Sequence, residues 1–186
     1  MSFPTKIKLK GLYRDNQTRH WNYAWLNGKI LDPEASLKIR NHSPDGFDWG
    51  YGGSGPAQFA LAICIELYGP VLARKVYQEF KRYHIAGLPQ GQNFELDLHL
   101  VSFNCEVLAA YKSYQVTLIL FKGDEESDAP LQEERLQLTI PAKDKAAAIV
   151  AAEQYYWSTI LPNQEVQDTI YTEIGAVEEV SDTPAR

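Results

Sequence analysis

The chain has 186 residues, 45% of them hydrophobic and 12% aromatic, with a formal net charge of −6. That much apolar material supports the packed core of one large or two small domains and excludes wholesale disorder. Cys64 and Cys105 are the only cysteines. Neither lies in a Cys-x-x-Cys or Cys/His cluster, which argues against a disulfide framework, a metal site or a cofactor held by thiolates, and points to a reducing, cytoplasmic setting.

The charge is unevenly spread. Residues 1–113 carry 13 Lys/Arg against 10 Asp/Glu, whereas residues 114–186 carry 5 against 14. A mildly basic first part joined to an acidic second part predicts two units, 1–113 and 114–186. The basic excess falls short of what a dedicated nucleic-acid binder shows. Uninterrupted apolar stretches such as Phe59 to Ile65 are too short to span a bilayer, so no membrane partner is expected. Met1 to Lys6 runs straight into alternation, without the pattern of a signal segment.

In chain order, Lys6 to Tyr13 alternates with period two and predicts a strand. Asp15-Asn16-Gln17 reads as a turn. Trp21 to Leu26 predicts a second strand, followed by Asn27-Gly28, a strong hairpin signal, and a short return at Lys29 to Leu31. Leu37 to Arg40 reads as another short strand. Pro56 suits the first turn of a helix with Ser54 or Gly55 as its cap, and Ala57, Ala60, Leu61, Cys64 and Leu67 form an apolar stripe. Gly69-Pro70 predicts a break before a second helix with Leu72, Val76, Phe80 and Tyr83 on its stripe. Gly87 to Gly91 is a loop. Residues 94–103 fit both periods. The helical register continues past Leu100, which favours a helix from about Asp97 to Lys112.

The remainder reads β-β-α-β: strands Tyr114 to Phe121 and Leu131 to Ile140 around an acidic loop, a helix from Asp144 to about Ile160, and a strand from Val166 to Ala176. Glu178 to Arg186 reads as a polar tail. The fold class is therefore α+β, an N-terminal small antiparallel sheet with helices followed by a β-β-α-β unit.

The most distinctive segment is Asn41-His42-Ser43-Pro44-Asp45-Gly46-Phe47-Asp48-Trp49-Gly50-Tyr51-Gly52-Gly53-Ser54-Gly55-Pro56. With Gly11-Leu12-Tyr13-Arg14, Asn27-Gly28, Ala60-Leu61-Ala62, Tyr77-Gln78-Glu79-Phe80-Lys81 and Leu88-Pro89, it makes the stretch from about Lys10 to Leu98 resemble domain-of-unknown-function family 6166. Trp-Gly-Tyr-Gly-Gly-Ser-Gly-Pro is a rare string. The family brings no settled activity. Its occurrence in bacteria, archaea, phages and plasmids implies mobile-element biology. Residues 114–186 lie outside the resemblance.

Gly50, Gly52, Gly53 and Gly55 allow backbone N–H groups to converge just before a helix N-terminus, an arrangement that suits an anion. No Gly-Lys-Ser/Thr follows and no βαβ unit surrounds the glycines, so neither a P-loop nor a dinucleotide fingerprint is present. The same glycines also make a tight turn that packs Trp49 and Tyr51 on the helix. His42, Ser43, Asp45 and Asp48 lie within seven residues and suit acid–base or metal chemistry, but Ser-Pro-Asp-Gly is equally a common turn. His20, His84 and His99 show no ligand spacing. His84 reads as a charged group at a helix end, and Lys81 and Arg82 as a solvated face within reach of a phosphate. Tyr155-Tyr156-Trp157 reads as packing.

The expected site is a concavity floored by the Gly50 to Gly55 backbone, Ser54 included, and the first turn of the helix after Pro56, flanked by Trp49 and Tyr51, with Asn41, His42, Asp45 or Asp48 at its rim. The expected function is a non-catalytic accessory protein that binds a small anionic, phosphate-bearing ligand or a protein partner there. Alternatives are an enzyme acting on a phosphate-bearing small molecule through His42, Asp45 and Asp48, and an acidic interaction module using Glu125, Glu126, Glu133 and Glu134.

Overall fold

The computed structural model describes residues 3–15, 21–123, 130–163 and 169–180. The Asn16-Gln17 part of the first turn, His20, Glu125, Glu126 and the Val166 start of the last strand lie outside the described residues. The chain forms two compact units, residues 2–109 and 110–186.

The first unit is built on a four-stranded sheet in the order β3-β2-β1-β4, every pair antiparallel. Strand β1 (Lys6–Leu12) sends Ile7 and Leu9 into the core and Lys6 and Lys8 to solvent, as its alternation requires. Strands β2 (Tyr23–Leu26) and β3 (Lys29–Ile30) form the hairpin signalled by Asn27-Gly28. The Asn27 side chain also accepts from the Lys8 N–H at 2.8 Å, tying the turn to the neighbouring strand.

Two expectations are corrected here. Leu37 to Arg40 is not a strand. It lies in and at the end of helix α1 (Pro33–Ile39), which starts because Asp32 accepts from the Glu34 N–H and Pro33 fits the first helical position. Nor does a helix begin at Asp97. Phe94–His99 is strand β4, paired along β1 from Lys6↔His99 to Gly11↔Phe94. Period two prevails because β1 offers a complementary partner: Lys6 pairs with Asp97 at 2.9 Å, and Lys8 with Glu95 at 2.7 Å. The helical register is real only beyond Leu100, in the short helix α3 (Val101–Glu106).

The centre of the unit is helix α2 (Ser54–Phe80). Every residue from Gly55 to Cys64 is buried, so this turn-by-turn apolar helix is wrapped on all sides. Gly69 interrupts it with φ 75° and ψ 163°, a conformation open to glycine, and Pro70 starts the next segment. That second segment buries Leu72, Ala73, Val76, Tyr77 and Phe80 and ends in a wider π-helical turn, Lys81–Ile85. By length and composition the span Ser54–Ile85 is apolar enough to cross a membrane, with 61% of its apolar window buried inside the structure. The helix is longer than the uninterrupted apolar stretch in the sequence because polar residues such as Gln58 lie within it.

Among the described residues, the second unit is a three-stranded antiparallel sheet, β6-β5-β7, with a helix that continues into shorter helical turns. Strand β5 (Lys112–Lys122) is central, between β6 (Gln132–Ala142) and β7 (Thr169–Val180). Helix α4 (Lys145–Tyr155) is capped by Asp144, which accepts from the Ala147 N–H at 2.8 Å. Val116, Leu118, Leu120 and Ile140 form this core with Ala148, Ala152 and Tyr156. Glu178, expected in a tail, belongs to β7, which runs to Val180 because β5 is long enough to pair with it: Ser113 faces Val180.

Candidate functional site

The glycine-rich segment joins α1 to α2, and its two ends are held differently. At the first end, Gln58 is fully buried inside α2. Its Oε1 accepts from the His42 N–H at 2.8 Å and the Ser43 N–H at 3.3 Å. The His42 ring Nε2 shares a 2.8 Å hydrogen bond with the Tyr77 hydroxyl. Burial, then the fields of Arg40 and Lys81, push His42 below the usual histidine range. Ser43 to Gly46 forms the turn that Ser-Pro-Asp-Gly predicts, with the Gly46 N–H donating to the Ser43 carbonyl at 3.1 Å. Asn41 and Asp45 are exposed.

At the second end, Asp48 is the organiser. Its carboxylate accepts from the Trp49 N–H at 2.8 Å, the Tyr51 hydroxyl at 3.0 Å and the Asn22 side-chain amide at 3.4 Å. Burial, reinforced by Asp48, raises the Tyr51 phenol above its usual range. Trp49 is fully buried, so it does not flank a concavity. Its Nε1 donates to the Gln92 carbonyl at 3.0 Å, and its ring meets Phe94 edge-on at 5.0 Å and Phe59 at 5.9 Å. An indole amid apolar residues needs both its packing and its N–H satisfied, and here both are.

The glycines serve close approach. Gly50 has φ +84°, and a Cβ there would sit 2.5 Å from Gln90 Cα. Its N–H donates to the Ile85 carbonyl at 3.1 Å. A Cβ on Gly53 would meet the Tyr51 ring at 2.3 Å, and one on Gly55 would meet Asp48 Cβ at 2.5 Å. The Gly52 carbonyl accepts from Lys81 Nζ at 3.0 Å. Gly52 and Ser54 are exposed. The region just ahead of α2 is thus occupied by the Asp48 side chain and by the residues that follow Ile85.

His42, Asp45 and Asp48 are not gathered into one constellation. His42 bonds to Tyr77 and Asp48 to three other donors, and no hydrogen bond among the described residues links His42 to either aspartate. No group of three or more His, Cys, Asp or Glu among the described residues is placed to hold a metal ion.

A concavity of about 490 Å³ does lie on the segment, at Pro44 to Phe47 and not at Gly50 to Gly55. Its walls come from Trp21, Tyr23, Ile30, Pro33, Pro44 and Phe47, with Asp45 beside them. Trp21 is 54% exposed, Tyr23 41% and Ile30 52%, so three large apolar side chains remain in solvent around one hollow. Asn22 links this groove to the Asp48 cluster by donating to the Phe47 carbonyl at 2.9 Å. Trp21, Asn22, Tyr23, Gln58 and Tyr77 are the residues that reading the sequence missed. Gln58 carried a usable signal, being the one polar side chain between Pro56 and Ile65. The others reach the segment only through the fold.

His84, expected as a charged group at a helix end, is instead packed among Phe80, Tyr83 and Phe103. Burial lowers its pKa to about 4.

No curated protein and no solved structure matches the chain. A family model does match residues 13–103, from the end of β1 through α2 and β4 into α3. Through this stretch of its first unit, the chain is similar to the family of unknown function DUF6166.

Proposed function

We propose that the chain is a non-catalytic binding protein whose glycine-rich segment forms one wall of a groove for a small, planar, largely apolar molecule. The observation that carries this reading is the exposure of Trp21 and Tyr23 around a concavity of about 490 Å³. Ligand pockets typically fall between about 300 and 1,000 Å³, and aromatic walls with few polar groups are their usual lining. A planar ligand laid against these rings removes apolar surface from water on both partners. Asp45, exposed beside the groove, offers an acceptor for a donor or a positive charge on the ligand. The partners that already engage His42 and Asp48 favour binding over acid–base catalysis in this region.

Native mass spectrometry after gentle purification tests the reading. The expected result is a noncovalent adduct of small-molecule mass that is lost in Trp21→Ala and Tyr23→Ala, both exposed positions whose truncation leaves the core intact. If no adduct is carried and an NMR fragment screen shifts no resonance of Trp21, Tyr23 or Ile30, the groove does not bind small molecules.

A further inference from the structure

We infer that the groove at Trp21 and Tyr23 selects a fused-ring heteroaromatic cation, a flat ligand that carries a positive charge. This rests on the groove being a small-molecule site and adds the charge its ligand must have. Two carboxylates, Asp32 and Asp45, and two exposed aromatic rings, Trp21 and Tyr23, border the same hollow of about 490 Å³. No Lys, Arg or His lines it among the described residues.

Both carboxylates keep acceptor capacity. Asp32 uses Oδ1 to cap α1 through the Glu34 N–H at 2.9 Å, and its Oδ2 has no partner among the described residues. Asp45 lies exposed in the Ser43 to Gly46 turn, and no hydrogen bond or ion pair engages its side chain among the described residues. Cations near in sequence are placed elsewhere. Lys29, next to Ile30 in the chain, pairs with Glu66 at 2.9 Å, and Arg40 borders a different hollow with Arg74. The neutral groups do not reverse this balance. Asn22 has both ends of its amide in use: Oδ1 accepts from the Arg14 N–H at 2.9 Å, and Nδ2 donates to the Phe47 carbonyl and to Asp48. Pro33 brings no N–H. The Trp21 N–H and the Tyr23 hydroxyl can donate, but neither carries charge to set against two carboxylates.

Aromatic faces carry a negative quadrupole, so a cation laid on Trp or Tyr is attracted by the ring as well as by the carboxylates beside it. A neutral flat ligand gains only the burial of its apolar face. A guanidinium gains the charge but buries little apolar surface and leaves most of a hollow of about 490 Å³ unfilled. A fused two-ring cation combines both terms.

NMR titration of the full chain at neutral pH and fixed ionic strength tests this, with N-methylquinolinium, uncharged quinoline, naphthoate and methylguanidinium as probes. N-methylquinolinium is expected to shift the Trp21 and Tyr23 signals saturably and to bind about tenfold more tightly than quinoline, which it resembles in shape. Naphthoate and methylguanidinium are expected to bind more weakly still. Asp32→Asn and Asp45→Asn are each expected to weaken the cation by about threefold and to leave quinoline unchanged. Asn caps a helix and fills a turn as Asp does, so neither replacement disturbs the local fold. Quinoline or naphthoate binding as tightly as N-methylquinolinium overturns the assignment to a cation and leaves the groove a binding site. Full affinity for N-methylquinolinium in both aspartate variants overturns it in the same way. Methylguanidinium binding as tightly as N-methylquinolinium overturns the fused-ring assignment. Saturable shifts from none of the probes overturn the groove and the assignment together.

Discussion

Gln58 donates from Nε2 to Ser36 Oγ at 2.7 Å, joining α2 to α1 with both side chains fully buried. The Ser36 hydroxyl in turn donates a hydrogen bond to the Pro33 carbonyl at 2.8 Å. Because Gln58 Oε1 also holds the His42 and Ser43 amides, one side chain fixes α1 and the start of the glycine-rich segment together. Replacing Gln58 by Leu is expected to cost about 1–3 kcal/mol, since buried partners are left without hydrogen bonds. Urea unfolding of Gln58→Leu and of Ser36→Ala checks this. A Gln58→Leu protein as stable as the natural one would show that the network contributes nothing.

Gly50 and Gly52 are expected to differ sharply on substitution by Ala. At Gly50 the new Cβ meets the Gln90 backbone at 2.5 Å from a left-handed residue, and neither the backbone nor φ can relax cheaply. At Gly52 nothing lies within 4 Å of the new atom. Gly50→Ala should lower the melting temperature by several degrees, consistent with roughly 1–3 kcal/mol of strain. Gly52→Ala should stay within about 0.5 kcal/mol of the natural chain. Similar melting temperatures for the two variants would contradict the packing at Gln90.

The half-buried His84 is expected to make the protein acid-sensitive. Its Nε2 is buried and has no hydrogen-bond partner among the described residues. In the unfolded chain the ring takes a proton near its ordinary value of 6.5, whereas in the fold it resists until about 4. Between those values the unfolded state binds more protons, so stability falls as pH falls, by at most about 1.4 kcal/mol per pH unit. Denaturant unfolding across this window should show a steeper pH dependence in the natural chain than in His84→Phe. Parallel curves would assign the acid sensitivity to other groups.

Tyr51→Phe isolates the hydroxyl that Asp48 accepts. Asp48 keeps the Trp49 N–H and the Asn22 amide, so the loss should be limited to about 0.5–1.5 kcal/mol. A larger loss, read by calorimetric melting, would mean that the Tyr51 ring position itself depends on that bond.

Much of the fold was legible because its signals are local. Asn27-Gly28 closes a hairpin, Gly69-Pro70 breaks α2, and Asp144 caps α4, each through chemistry contained in a few residues. The failures were competitions. Leu37-Lys38-Ile39 alternates well enough to suggest a strand, yet Asp32-Pro33-Glu34 upstream had already started a helix. Residues 94–99 satisfy both periods, and the choice was made by β1, some ninety residues earlier. For the site, the glycine-rich segment drew attention correctly to its own density of small residues but not to their use. Gly50, Gly53 and Gly55 make room for Gln90, Tyr51 and Asp48, which are atoms of the protein itself. The groove was invisible because Trp21, Tyr23 and Ile30 meet Pro44 only after the hairpin has folded.

The acidic character of residues 114–186 has a consequence for how copies of the chain meet at high concentration. Among the described residues, strands β6 and β7 are both edges, eleven and twelve residues long, and each leaves a row of peptide groups without a neighbouring strand. Long open edges are templates for runaway strand addition. Here Glu133 and Glu134 on one edge and Glu173, Glu178 and Glu179 on the other are exposed. A second molecule approaching these edges meets Glu173 and Glu178, which have no ion pair among the described residues, while Glu133, Glu134 and Glu179 are already paired with Arg135, Lys122 and Lys112, so the glutamates disfavour strand addition locally.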